Sequence, residues 1–566
     1  MTLVRRAAAI LLVVGGCSTD AARDGSGPEP AAIGASASER APCATAAEGA
    51  ADLLALHRYA RQEGHRLATA APAPDEDVAH VALLHDRGDL VVRRNPLDLD
   101  GAGLRFTPAP AGGFDVVPLA PFPASTGTPL GLATGGSVRV DLPFLFPFFA
   151  SAASSVWVNA DGNLTLGGPD TGPGERGLGR LLGGPPRVAA FMTPLDPGRS
   201  GSVTADLGPS RAVFSWTGVP GAGQINRNTF QVALHASGVV EMGFGAMQTR
   251  EAVVGLSPGR ASTFTAVDLS SGGSGPGAVV ERFSDTEKAD LVSVSRRFLA
   301  THPDEFEQLV VYTTRPLNPL PGSLAFEVNV RNDVRGIGLS PDLDESPAWG
   351  SSGVLASVAY MDAIDQYLEV DGFEILGHEV GHRWLARLLF RDGRGRSSKA
   401  LLGRGLVHWS FFFDTQASVM EGNAIADRGG GRFETVDITR GYSALDQYAM
   451  GLRAPEEVPP FFYVEDPDNF RPNRAFRFSS TPEVGISFTG TRREVRIEDV
   501  VAELGPRQPE AARAPRLLRQ AFVLVADEIA PATEGRRAAV ARIRTRFGPY
   551  YRQATDGRGE ADSTLP

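Results

Sequence analysis

Between Asp77 and Pro258 the chain carries short β-prone runs: Val78–Leu84, Leu90–Val92, Val138–Leu142, Val156–Val158, Leu164–Leu166, Ala212–Trp216, Thr229–Leu234 and Val239–Phe244. Each is bounded by Gly, Pro, Asn or Asp. Runs this short, repeated this often, must pair with one another as strands, which confines the region to a sandwich or barrel. Asp161-Gly162 lies between Val156-Trp157-Val158 and Leu164-Thr165-Leu166, and two residues that tolerate positive φ at that place predict a hairpin. Glycine (65) and proline (42) are both abundant, which suits a loop-rich exported chain better than a helical bundle.

Two tripeptides in this region match known signals. Arg87-Gly88-Asp89 has the form of an adhesive sequence but fits a turn between two strands. Asn163-Leu164-Thr165 has the form of a glycosylation acceptor but falls in the predicted hairpin, where turn chemistry explains it. The stretch Val156-Trp157-Val158-Asn159-Ala160-Asp161-Gly162-Asn163-Leu164, with Asn228-Thr229-Phe230-Gln231-Val232, resembles the nidogen-like β domains of extracellular proteins over roughly Gly135 to Pro258. The Ser/Gly/Pro-rich run Ser270–Gly277 reads as a linker and domain boundary.

Beyond that run the period changes. Asp285–Ala300 predicts an amphipathic helix, Gln308–Thr313 a strand, and Leu324–Val330 an alternating strand suited to the edge of a sheet. Next comes His378-Glu379-Val380-Gly381-His382. On a helix, residues four apart share a face, so two imidazoles at this spacing can grip one Zn²⁺ with Glu379 beside them. Ile375, Leu376, Val380, Trp384, Leu385, Leu388 and Leu389 supply an apolar face, and Gly393 with Gly395 predicts a stop after Phe390. These residues resemble the active-site helix of the zincin metallopeptidases. The resemblance implies zinc held by His378 and His382, with Glu379 as general base taking a proton from the water that attacks a peptide carbonyl.

A catalytic zinc needs a third protein ligand. The glycine and third His or Asp of metzincins are absent, because Leu385 and Leu388 stand there, and the acidic partner four residues after a gluzincin-type Glu421 is replaced by Ile425. His408, the only histidine after His382, is the leading candidate, with Asp414, Glu421 and Asp446 as alternatives. Ala417-Ser418-Val419-Met420-Glu421-Gly422 resembles the Met-turn that floors a metzincin site. Tyr442 or Tyr448 is a candidate donor to an oxyanion, although amphipathic helix packing explains the same spacing better. Pro515–Ile529 and Glu534–Tyr551 read as two closing helices.

At the amino terminus Arg5 and Arg6 precede the apolar run Ala7–Val14, which is too short to span a bilayer and suits a cleaved export signal. Val14-Gly15-Gly16-Cys17 resembles a bacterial lipobox, implying acylation of Cys17 and a lipid anchor in the bacterial cell envelope, with an ordinary secretory signal cut nearby as the alternative; if Cys17 is lipidated only Cys43 remains, so no intrachain disulfide is expected. The Ala/Ser/Gly/Pro-rich segment to residue 45 reads as a tether, followed by a short helix over Ala46–Leu67. A net charge of −11 with no basic face argues against a nucleic-acid partner.

The expected organisation is therefore a signal over 1–16, a tether over 17–45, an all-β sandwich-like accessory domain over 46–270 with a short leading helix, and an α+β zincin-like domain over 278–566. The expected function is zinc-dependent hydrolysis of a protein or peptide substrate. The alternative is a surface binding or adhesion protein whose zinc site is structural or inactive.

Overall fold

The computed structural model describes residues 73–566 apart from 111, 122–126, 172–175, 262–263, 319–322 and 469–474. The signal, Cys17, the tether and the helix expected over 46–67 lie outside these residues. The chain is mostly β, with several sheets, few helices and an α+β part. Among the described residues no helix is long and apolar enough to cross a membrane.

Residues 74–566 form one compact unit built around two arrays of strands. The first is a sheet in the order Glu76–Val78, Val81–His85, Leu517–Ala526, Gln308–Thr313, Ser357–Ala363, Phe326–Asn329, with Glu560–Asp562 also paired to Leu517–Ala526. Its middle is parallel and its two outer pairings are antiparallel. Parallel strands are covered on both faces and so carry continuous apolar runs whose alternate residues enter different cores. Val310, Tyr312, Phe522 and Leu524 join the core that holds the His378–His382 helix, whereas Leu309, Val311, Val523 and Val525 face the helix Leu291–Leu299. Asp290 caps that helix by accepting the Ser293 N–H at 3.0 Å. Phe326–Asn329 ends the sheet beyond Ser357–Ala363, at the edge position predicted for it.

This sheet corrects the reading of Pro515–Ile529 as a helix. Leu517, Leu518, Ala521, Phe522 and Val525 fit helical spacing, but Phe522-Val523-Leu524-Val525 is the unbroken run of a strand buried on both faces, and Leu517–Ala526 lies at the sheet centre. Glu534–Ala554 is a helix capped by Thr533, and it packs Tyr550 on Phe373 with ring centroids 5.3 Å apart.

The second array is a sandwich of a seven-stranded and an eight-stranded sheet over a common core that includes Val156, Val158, Leu164, Val188, Phe214, Trp216 and Val232. Trp216 stacks on Phe230 at 5.0 Å and donates to the Ala160 carbonyl oxygen at 3.2 Å. Asp161-Gly162 turns the chain between Ser151–Asn159 and Asn163–Thr165. Gly162 has φ 75°, and a Cβ there would lie 2.1 Å from the Phe191 carbonyl oxygen, so conformation and space both require glycine. Asn163 is buried and accepts from Arg187 Nη1 at 2.6 Å, a structural role within the sandwich. Asp89 pairs with Arg297 at 2.6 Å, so the Arg87-Gly88-Asp89 turn is fastened to the fold.

The sandwich is inserted into the α+β part. Val81–His85 belongs to the parallel sheet, and the chain leaves and returns through a paired neck in which Val91–Val92 meets Lys288–Ala289 and Asn95 bridges to Ser284. The run Ser270–Gly277 is accordingly not a free linker. Gly273–Gly275 pairs with Phe114–Leu119, and Ala278–Phe283 lies within the opposite sheet. Glycine is needed there for close approach, because a Cβ on Gly273 or Gly275 would lie 2.6 Å from Val267 or 2.5 Å from Thr265.

Candidate metal centre

The helix Phe373–Gly381 carries His378 and Glu379, and His382 closes its last turn with its N–H 3.2 Å from the His378 carbonyl oxygen. The helix stops there, earlier than the predicted end after Phe390. Arg387 Nη1 donates to the terminal carbonyl oxygens of His382 at 2.7 Å and Leu385 at 3.2 Å, and Ala386 takes φ 61°. Leu385 and Leu388 remain buried in the same core as Leu376 and Val380, so the apolar spacing reports burial beyond the helix end.

His378 and His382 face each other with Nε2 atoms 3.0 Å apart. The loop carrying His408 folds back against them, pinned by a bond of 2.9 Å from Trp409 Nε1 to Asp446 and by Ser410 N–H to the Leu401 carbonyl oxygen at 2.8 Å. The ring centroids of His408 lie 5.0 Å from those of His378 and His382. One ligand atom from each of the three lies within 4.8 Å of the others, a group that could hold a metal ion.

The hydrogen bonds behind the rings fix which nitrogens point inward. Nδ1 of His378 donates to the Val419 carbonyl oxygen at 2.9 Å, and Nδ1 of His408 to the Arg404 carbonyl oxygen at 2.7 Å, leaving an Nε2 lone pair on each. Burial lowers the pKa of all three imidazoles, to about 4 for His408, and His382 is lowered further by its two histidine neighbours. They are therefore neutral donors at neutral pH. Three imidazoles whose Nε2 or Nδ1 atoms meet in a buried place offer a cation its ligands, and zinc accepts imidazole nitrogen at roughly 2.0–2.1 Å. The residues fit such an ion.

Glu379 is buried, and its pKa is pushed up to about 8 by that burial and then by the charge of Glu327. Glu327 stands on the edge strand, bonded to Asn329 Nδ2 at 2.9 Å, with its other oxygen buried and without a partner among the described residues. Burial pushes its own carboxyl up to about 8 against the charges of Arg387 and Arg383. Met420 underlies the site: a Cβ on Gly381 would come within 2.5 Å of its Sδ. Gln416, Ala417 and Glu421 around it all have positive φ, a concentration of backbone strain of the kind found at functional sites.

The alternatives to His408 have other partners, and Glu421 stands beside the cluster with Oε1 3.9 Å from His408 Nε2. Asp414 accepts the Ile425 N–H at 3.0 Å, Asp446 holds Trp409 and the Ser443 N–H, and Glu421 is paired with Arg404. Tyr442 donates to the Gly377 carbonyl oxygen at 2.6 Å and Tyr448 accepts the Arg507 N–H at 3.1 Å, so both tyrosines serve packing. Two neighbours of the cluster were not singled out from the sequence, Glu327 and Arg404. Glu327 and Asn329 alternate with Phe326 and Val328, and alternation alone does not tell which side of a strand is buried. Arg404 carries no local signal beyond standing four residues before His408. No family model, no curated protein and no solved structure matches this chain.

Proposed function

We propose that this chain is an exported zinc-dependent hydrolase of peptide bonds with Glu379 as general base. The observation that carries the reading is the convergence of His378, His382 and His408 beside a buried carboxylate on the same helical turn. The antiparallel edge strand next to the helix and the methionine beneath it support a zincin-like arrangement, in which an extended peptide adds to the free edge of Phe326–Asn329.

A bound zinc ion supplies a Lewis acid that polarises a carbonyl and acidifies a water. His378 and His408 are held in the donating tautomer by backbone carbonyls, so no proton need leave them when a cation binds. Glu379 takes a proton from water as its oxygen adds to the carbonyl carbon, and later returns that proton to the departing amine nitrogen. A nearby cation favours the ionised form of Glu379, offsetting the effect of burial.

Metal analysis of the purified protein should find about one zinc per chain. Glu379→Gln should keep that zinc and lower hydrolysis of labelled casein by at least ~100-fold. Zinc retained with hydrolysis unchanged would instead assign the chain to surface binding, with a structural metal. The export reading rests on Arg5, Arg6, the apolar run and Cys17. Cys17→Ser should move the protein from the membrane fraction to the soluble fraction, and unchanged fractionation would exclude the lipid anchor.

A further inference from the structure

Arg404 touches the metal cluster in a way that the roles assigned above leave unused. It opens the short turn Arg404–Leu406, and while its carbonyl oxygen accepts Nδ1–H of His408, its guanidinium reaches the far side of the same ring, with Nη2 3.1 Å from Nε2. Glu421 clamps the guanidinium, accepting Nε–H at 3.2 Å on one oxygen and pairing with Nη2 through the other. The Arg404 side chain is 54% exposed and that of Glu421 16%, so the cation reaches the cluster from the solvent side on a half-buried anchor. An ion pair with so exposed a partner adds little to stability, and holding the fold together does not account for its place.

Nε2 of His408 is the atom that would turn to a metal. Once its lone pair is committed, the Arg404 N–H loses that acceptor while Glu421 keeps the guanidinium at the cluster and offsets its charge. A preorganised donor left in that position serves whichever oxygen next gains negative charge there. The tyrosines considered for this task are spent on Gly377 and Arg507.

We propose that Arg404 is a catalytic residue that stabilises the substrate carbonyl oxygen during hydrolysis, a role resting on the hydrolase reading above. As the water oxygen bonds to the carbonyl carbon, the π pair moves onto the carbonyl oxygen and a water proton passes to Glu379. Arg404 donates a hydrogen bond to the oxygen that now carries the charge. When the pair returns and the C–N bond breaks, the amine nitrogen takes the proton from Glu379, and Arg404 ends unchanged.

The test compares wild type, Arg404→Ala and Arg404→Lys for zinc affinity against a chromophoric chelator, for kcat and KM on labelled casein, and for affinity toward a phosphinic peptide whose P–O⁻ mimics the charged oxygen. Arg404→Ala should bind zinc at least as tightly as wild type, since a competitor for His408 is gone. It should lose about 100-fold in kcat with KM moved less than about 3-fold, and about 10-fold or more in phosphinate affinity. Lysine should recover part of both losses. Weakened zinc binding in Arg404→Ala would overturn the proposal by making Arg404 a support for the site, as would unchanged kcat and phosphinate affinity. If wild type binds no zinc, or Glu379→Gln turns over normally, the hydrolase reading falls and takes this one with it. A wild type that passes both checks beside an unimpaired Arg404→Ala overturns this proposal alone.

Discussion

At the residue scale the site depends on atoms that are neutral because they are buried. Imidazoles in water are partly protonated near neutral pH, but desolvation lowers all three here, and backbone carbonyls occupy the Nδ1 protons of His378 and His408. His408 was one candidate among four on sequence grounds, and chain folding brings it to the pair, while Asp414 and Asp446 accept hydrogen bonds from other groups and Glu421 lies beside the rings, clamping Arg404. His408→Ala should therefore lower zinc affinity by more than the ~10–100-fold that losing a residue behind a ligand costs. Thermal unfolding should then become insensitive to added zinc. A variant whose midpoint still rises with zinc as in wild type would remove His408 from the ligand set.

At the element scale, one carboxylate ties three pieces of the sandwich together. Asp170 follows the strand Asn163–Thr165 and receives Arg180 from the helix Leu178–Gly183 and Arg187 from the strand Arg187–Met192. Burial disfavours its charge, but the bonds and charges of the two arginines outweigh burial and hold its pKa down to about 2. A folded pKa below the unfolded value of 3.8 means stability that is present above that value and lost as pH falls from about 4 toward 2. The contribution is about 2 kcal/mol. Asp170→Asn should thus be clearly less stable than wild type at pH 6 by calorimetry, with the gap narrowing through that acid range. A gap independent of pH would show that the ion pairs are not its source. The same scale explains the misread strand: Leu517–Ala526 and an amphipathic helix share their apolar spacing, and only pairing to Gln308–Thr313 and Val81–His85 distinguishes them.

Across the whole molecule, the candidate site and the sandwich belong to different cores within one unit. The insertion through the neck at Val91–Val92 and Lys288–Ala289 lets a large β structure grow from the far part of the parallel sheet without interrupting the strands that carry the edge and the histidine helix. Contact between the two parts is close: Gly179 and Gly183 lie against Val292 and Arg296, where a Cβ would come within 2.6 and 2.2 Å. Those glycines work through their small size, as Gly273 and Gly275 do, so the Ser270–Gly277 run read as a linker is here a place of close approach.

The sequence by itself determined the features whose information is local. These are the hairpin at Asp161-Gly162, the helical pair His378 and His382 with Glu379 between them, and the alternation of the strand Phe326–Asn329, because turn conformation and side-chain period are set by neighbours in the chain. The tertiary structure decided what depends on distant residues meeting. It brought His408 to His378 and His382, turned Glu327 inward, set Arg404 against the third imidazole, made Leu517–Ala526 a central strand and placed the sandwich as an insertion. Burial, pKa and close approach are properties of the folded surroundings, and no window of sequence contains those surroundings.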